Sequence, residues 1–445
     1  MLNDSIFKAY DVRGVYPTDL NEETAYLIGR AFGAYAKAEK MVVGCDARLS
    51  SPQLLKSLTA GINSQSISVI DIGLCPVELI YFAVASNDFD AGIMITASHN
   101  PKQYNGFKMV VKVGSDVSII PGRELLPHVE EIKEITETSS KKLSDINFQD
   151  EYQKYILKFC NLKDIKKFKI VIDASNGVAG RTISLLESQL PADIIKLNFD
   201  PDGNFPNHSP NPLELNARDQ ITEAVKENKA DFGLIFDADG DRIFLIDELG
   251  NFVPADITLL FLARHFLKGA KSAPIIYNLI CSRAVPQFIR KWGGKAVRTA
   301  VGFVNVQKEL KKSGGAMGGE LSGHYCFRDF FNMDSGIFPF LILLEVFSKD
   351  NRNISEMVKE LSLYSKVAVN FEVSDKEKIL EKLKKEYADG QQDFLDGITI
   401  EYSNWWFNVR PSNTEPILRL TIEADTQNLL SEKTKEIEEF INVNK

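Results

Sequence analysis

Short apolar, β-branched runs alternate with amphipathic stretches through most of the chain. MVVG (41–44), ISVIDIG (67–73), AGIMIT (91–96) and FKMVVKV (107–113) read as strands. So do FKIVID (168–173), FGLIF (232–236), APIIYNL (273–279) and KAVRTA (295–300). Between them EETAYLIGRAFGAYAK, VAGRTISLLESQL and ADITLLFLARHFL carry apolar residues at helical spacing. Strand and helix in repeated alternation predict α/β domains with parallel or mixed sheets. After SKDNRNISEMVKELSLYS the pattern changes. KVAVNFEV, a charged helix, GITIEYSN, WWFNVR, ILRLTIEA and a last charged helix read as a smaller α+β domain. The charged, Ser- and Thr-bearing stretch 130–145 and the turn in IDELGNFVP (246–254) mark two boundaries. The expected architecture is three α/β mixed-sheet domains, 1–145, 146–250 and 251–364, followed by a smaller C-terminal α+β domain, 365–445.

Composition sets the environment. At 445 residues the chain is long for one core and suits several domains. Its 44% hydrophobic and 25% charged content is ordinary for a globular protein in water. A net charge of −9 argues against a nucleic-acid surface, which is usually basic. An anionic small molecule would therefore need a local set of Arg, Lys and backbone donors. Five cysteines without C-x-x-C spacing predict free thiols in a reducing compartment. The first residues lack the basic and apolar regions of a signal peptide. The longest apolar run, IFPFLILL, is too short to span a bilayer and meets Glu345 at once. A cytoplasmic protein with neither membrane nor nucleic acid as partner is expected.

The chemistry-bearing residues gather in loops. FDADGDRIFLID holds Asp237, Asp239 and Asp241 at alternate positions between two apolar runs. In an extended or tightly looped backbone these project the same way, so the carboxylates can converge. Two carboxylates at ~4 Å repel by about 4 kcal/mol at an effective dielectric near 20. Three need a cation or generous solvation, and carboxylate oxygens favour Mg²⁺ or Ca²⁺. An EF-hand is excluded, because its sixth position requires Gly and Arg242 stands there between strand-like flanks. A phosphatase with Asp237 as nucleophile remains an alternative.

VRPSNTEP (409–416) clusters Arg410, Ser412, Asn413 and Thr414 in a turn bracketed by prolines, a donor set suited to gripping phosphate. GGELSGH (318–324) offers Glu320, Ser322 and His324, groups that can hydrogen-bond sugar hydroxyls. YDVRG and NGFK add Arg13 and Lys108 beside loop glycines. TASHNP (96–101) sets Ser98 next to His99. Neighbouring side chains point apart in strands and helices, so the pair is poor support for a hydrolase dyad.

Together these stretches carry a resemblance. IFKAYDVRG, GCDARLSSP, TASHNPKQYNGFK, VIDASNGVAG, GNFPNHSPNP, FDADGDR, GGELSGH and RPSNTEP occur in the order found in the α-D-phosphohexomutases, the phosphomannomutases and phosphoglucomutases. The chain resembles that family over essentially its whole length. The resemblance implies four domains around a central cleft and a phosphoryl group carried on Ser98. It implies Mg²⁺ held by Asp237, Asp239, Asp241 and a phosphoserine oxygen. A phosphohexose would be the substrate and a hexose 1,6-bisphosphate the intermediate or activator. Glu320 and Ser322 would contact sugar hydroxyls, and Arg410, Ser412, Asn413 and Thr414 the non-reacting phosphate. Lys108, Arg13 and His324 would serve acid–base or charge-stabilising roles. His99 and Asn100 would shape the serine loop, with Arg242 beside the metal. Either a monomer or a homodimer is expected.

One departure stands out. Many relatives carry His where this chain has Phe303, and Lys near Gln307. Leu321 and FRDFFNMDSG resemble the phosphomannomutase branch, which implies mannose and also glucose phosphates as substrates. The alternatives are a phosphoglucosamine mutase and a Mg²⁺-dependent sugar phosphatase.

Overall fold

Four sheets organise the chain in a computed structural model that describes residues 2–132, 144–145, 148–412 and 417–445. All eight predicted strands of the α/β part form, with ends within three residues of those read from the pattern. The first sheet runs Val12–Val15, Tyr104–Val113, Ala91–Ile95, Lys40–Cys45, Ser68–Leu74, with Asp116–Ile120 branching from Tyr104–Val113 and Ser144–Asp145 at the far edge. Its centre is parallel, and its Val12–Val15 side is antiparallel. The second sheet orders Phe252–Val253, Ile243–Ile246, Phe232–Phe236, Phe168–Asp173 and Ala192–Leu197. The third orders Lys295–Thr299, Pro274–Asn278, Met317–Gly319, Tyr325–Phe327 and Met333–Asp334. Both mix parallel and antiparallel pairs. The fourth, from Ser365–Glu372 to Gln391–Asp393, is antiparallel throughout. The expected three mixed α/β units and smaller C-terminal unit are thus what the chain builds. Most of the 130–145 boundary stretch lies outside the described residues.

Burial explains the apolar run IFPFLILL. It forms the helix Ile337–Ser348, buried on every face through residue 347. A helix that is apolar all round belongs in a large core, and this one meets a cluster that also holds Phe82, Tyr152 and Phe232. That shared core joins the first three units. The fourth keeps a separate core around Trp405, Phe407 and Leu420. Among the described residues no helix is long and apolar enough to cross a membrane. All five cysteines are buried and free.

Parallel strands place loops at their carboxyl ends, where α/β proteins build sites. Ser98 follows Ala91–Ile95, Asp237 follows Phe232–Phe236, and Glu320 follows Met317–Gly319. One topological rule gathers three units' loops at one place.

Candidate active site

Ser98 is 1% exposed and adopts the left-handed conformation, φ 50°. For a residue with a Cβ this costs of order 1 kcal/mol, so its surroundings must impose it. The Thr96 hydroxyl oxygen accepts the Ser98 N–H at 2.8 Å. The Ser98 hydroxyl then donates to Asp237 Oδ2 at 2.9 Å, across from the first unit to the second. The left-handed turn also corrects the expectation that adjacent side chains diverge. Ser98 Oγ lies 3.3 Å from His99 Nδ1. Burial, with Arg242, Arg13 and His324 nearby, holds the His99 imidazole well below its usual pKa, so it is neutral.

The aspartate loop is the connection between Phe232–Phe236 and Ile243–Ile246, tightened by Gly240 at φ 76°. Asp237, Asp239 and Asp241 are fully buried, and one oxygen from each lies within 4.8 Å of the others. Burial raises the Asp237 carboxyl well above its usual range, and Asp241 and Asp239 push it further. Asp241 goes the other way: burial opposes its charge, but Lys108, His324 and Arg242 outweigh it and hold its pKa low. Lys108 reaches in from Tyr104–Val113, with Nζ 2.7 Å from Asp239 Oδ2 and 2.5 Å from Asp241 Oδ2. Burial works against this ammonium, but Asp239 and Asp241 overcome it and keep it protonated. Arg242 Nε stands 3.5 Å from Asp237 Oδ2.

These residues fit a hard cation. Asp239 Oδ1 is buried without a hydrogen bond, and Asp241 Oδ1 makes none either although His324 Nε2 lies 3.5 Å away, while their Oδ2 atoms are taken by Lys108. Unsaturated oxygens on converging carboxylates are the donor set a divalent ion uses. The three aspartates can hold a metal ion.

Arg13 sits at the edge of the serine loop, donating to Asn100 Oδ1 at 2.8 Å and to Asp11 Oδ2 at 2.5 Å. From the third unit, Glu320 accepts the Ser322 hydroxyl and the Gly302 N–H at 3.0 Å. Burial opposes the Glu320 charge, yet His324 and Ser322 hold its pKa down at about 2. His324 lies between Ser322 Oγ, 2.9 Å from Nδ1, and Asp241 Oδ1, 3.5 Å from Nε2. Burial and Arg242 resist a charge there, but Asp241 and Glu320 outweigh them and raise the imidazole to about 9. Phe303 stacks on that ring at 4.9 Å and 19°, and Tyr10 meets Phe303 edge-on at 5.8 Å. Gln307 is buried and donates to the Met333 sulfur instead of facing this group.

Arg410 lies one residue before the end of the strand Trp405–Pro411 and is 9% exposed, with Ser412 just beyond the strand at 7%. Burial lowers the Arg410 pKa, while Asp396, Glu320 and Tyr10 lie near enough to favour its charge. Asn413 and Thr414 lie outside the described residues. Ser98, Lys108, Arg13, His99, Arg242, His324, Glu320 and Ser322 therefore share one neighbourhood with the acidic loop, and Arg410 faces it from the fourth unit. Sequence reasoning passed over Tyr10, Thr96, Asp46 and Asp334. Thr96 carried a readable signal, a hydroxyl two residues before a turn serine. Asp334 carried none, and it reaches His324 only through the third sheet.

Comparison with known proteins first defines the class. Models described as phosphoglucomutase/phosphomannomutase alpha/beta/alpha domains I, II and III match residues 4–139, 150–250 and 254–364, and that for the C-terminal domain matches 369–440. The phosphomannomutase of Methanocaldococcus jannaschii is 37% identical over 444 residues, covering 98% of this chain and 97% of that protein. The phosphomannomutase/phosphoglucomutase of Pseudomonas syringae pv. tomato is 38% identical, covering 96% and 93%. A crystal structure of a phosphoglucomutase/phosphomannomutase family protein from Burkholderia thailandensis superposes with a TM-score of 0.89 at 30% identity, covering 100% and 98%. The chain belongs to the phosphoglucomutase/phosphomannomutase family, the α-D-phosphohexomutases.

Proposed function

We propose that this protein moves a phosphoryl group reversibly between the 1 and 6 positions of a hexose, mannose and also glucose, by way of phosphorylated Ser98. The observation that carries the reading is the Ser98 hydroxyl, buried and 2.9 Å from Asp237 in a loop of converging carboxylates. The units would divide near residues 145, 250 and 364, each giving one loop to the reaction.

In the first transfer the bond from phosphorus to Ser98 Oγ breaks as one forms to the free hydroxyl of the hexose monophosphate. The hydroxyl proton leaves to a nearby base. The hexose 1,6-bisphosphate then turns over, and its other phosphate returns to Ser98. Asp237, Asp239 and Asp241 would hold Mg²⁺, which when bound draws charge from the transferring group. Lys108 Nζ keeps its proton beside Asp239 and Asp241 and supplies positive charge to the site. Arg13 and Arg242 offset phosphate charge. Glu320 and Ser322 orient sugar hydroxyls, with His324 tying that loop to Asp241. Arg410 and Ser412, with Asn413 and Thr414, hold the phosphate that does not react.

Phosphorus NMR of the enzyme with Mg²⁺ and mannose 1-phosphate, glucose 1-phosphate or glucosamine 1-phosphate tests this reading. It expects the 6-phosphates of mannose and glucose to appear with very little inorganic phosphate. Phosphate released in step with substrate loss would instead establish a phosphatase, and preferred turnover of the amino sugar would overturn the substrate assignment.

A further inference from the structure

A cation outside the aspartate loop lies beneath the serine. Arg48 follows the strand Lys40–Cys45, its side chain fully enclosed. Nη1 donates to the carbonyls of Pro101 at 2.8 Å and Tyr104 at 2.9 Å. Nη2 donates to those of Ser98 and Asn100, each at 2.6 Å. Nε donates to Asp46 Oδ2 at 3.1 Å. Four carbonyls of one loop therefore converge on one guanidinium. The Asp46 carboxylate completes the cage: Oδ1 accepts the Arg48 N–H at 3.0 Å and Oδ2 the Thr96 hydroxyl at 2.7 Å. The same Thr96 oxygen receives the Ser98 N–H. Both backbone groups of Ser98 are thus fixed by this set, which is what a left-handed serine requires.

The second unit closes over the guanidinium. Phe205 lies 5.3 Å from the Arg48 charge. Gly203 packs so tightly that a Cβ there would stand 2.4 Å from the Ala47 carbonyl oxygen and 2.8 Å from Arg48 Cα. The unit that presses on Arg48 also carries Asp237, the partner of the Ser98 hydroxyl.

We propose that Arg48 is a positioning residue for Ser98, and that Phe205 keys it to the second unit, so that this contact sets where the serine stands relative to the aspartate loop. Five N–H donors in a rigid plane match four carbonyls and a carboxylate, whereas a lysine brings three donors on one atom. Arg48 directs its donors to the carbonyls of the serine loop and to Asp46 rather than to the aspartate loop, so its effect falls on geometry. A misplacement of about 1 Å costs about 100-fold in rate.

The inference rests on Ser98 as phosphoryl carrier, and the test separates the two. Arg48→Lys should lower kcat about 100-fold with KM nearly unchanged, and should slow phosphorylation of Ser98 by glucose 1,6-bisphosphate to match. Hydrogen exchange in the peptide spanning 96–104 should rise, a readout independent of the reaction. Phe205→Leu keeps the apolar volume but removes the ring face, and should lower kcat about 10-fold. If Arg48→Lys does not fold, Phe205→Leu decides. Wild-type kcat in the folded variants, or a rise in KM alone, would overturn the positioning role. Full turnover by Ser98→Ala would instead overturn the carrier reading, leaving the exchange result to report on the loop.

Discussion

Glu78 lies in the helix Val77–Ser86 with no exposed surface, and its carboxyl ties three parts of the chain together. It accepts the Tyr152 hydroxyl at 2.7 Å and the Ser335 hydroxyl, and lies 3.5 Å from the Ile337 N–H. Burial raises its pKa to about 7 against these hydrogen bonds, which favour the charge. The folded protein therefore keeps a proton that the unfolded chain releases near the ordinary glutamate value of about 4.3. Stability from this group is complete below that value and is lost as pH rises through about 7. The two values differ by a factor that converts to roughly 3–4 kcal/mol at about 1.4 kcal/mol per tenfold. Glu78→Gln has no proton to release. Urea unfolding of both proteins from pH 4 to pH 8 should show the wild type losing its advantage over the variant by roughly that amount, with most of the change complete by about pH 7. Taking the difference cancels other titrating groups. Parallel profiles would refute the reasoning and mean that the junction carries an ionised carboxylate.

Other outcomes follow from the site. Lys108→Met removes the cation beside Asp239 and Asp241 and should destabilise the metal-free protein by about 3–5 kcal/mol. Mg²⁺ should restore part of that stability but not turnover, and equal losses with and without Mg²⁺ in thermal unfolding would count against a metal at the aspartates. Chelation should abolish turnover and lower the melting temperature, while Mg²⁺ at about a hundred times its Kd should add back about 2.7 kcal/mol. Asp239→Asn should lose that Mg²⁺-dependent shift. Phe303→His replaces the ring stacked on His324. It should alter the ranking of hexose phosphates in kcat/KM by about 10-fold, a change of about 1.4 kcal/mol, and an unchanged ranking would remove Phe303 from sugar recognition.

The elements were legible because alternation and helical spacing report burial directly, as in FKIVID and FGLIF, whose strands span the residues read from the pattern. Met317–Gly319 and Tyr325–Phe327 were not, since three-residue strands are too short to show a period. The aspartate loop was readable because like charges at alternate positions demand compensation. That Lys108 is what compensates it was not, because Lys108 arrives by antiparallel pairing of Tyr104–Val113 with Ala91–Ile95. Arg48 stands within GCDARLSSP with no pattern to single it out, and only the fold reveals that its donors face carbonyls some fifty residues away. Ser98 and His99 show the limit of a rule about neighbours: one left-handed residue brings together side chains that regular structure keeps apart.

The central claim is that Ser98 carries the phosphoryl group. Peptide mapping by mass spectrometry after incubation with glucose 1,6-bisphosphate and Mg²⁺ tests it most directly. The account predicts a single phosphoryl group on the peptide containing Ser98, absent from Ser98→Ala and discharged by hexose monophosphate. Phosphate found on Asp237, or full turnover with Ser98 unmodified, would contradict it.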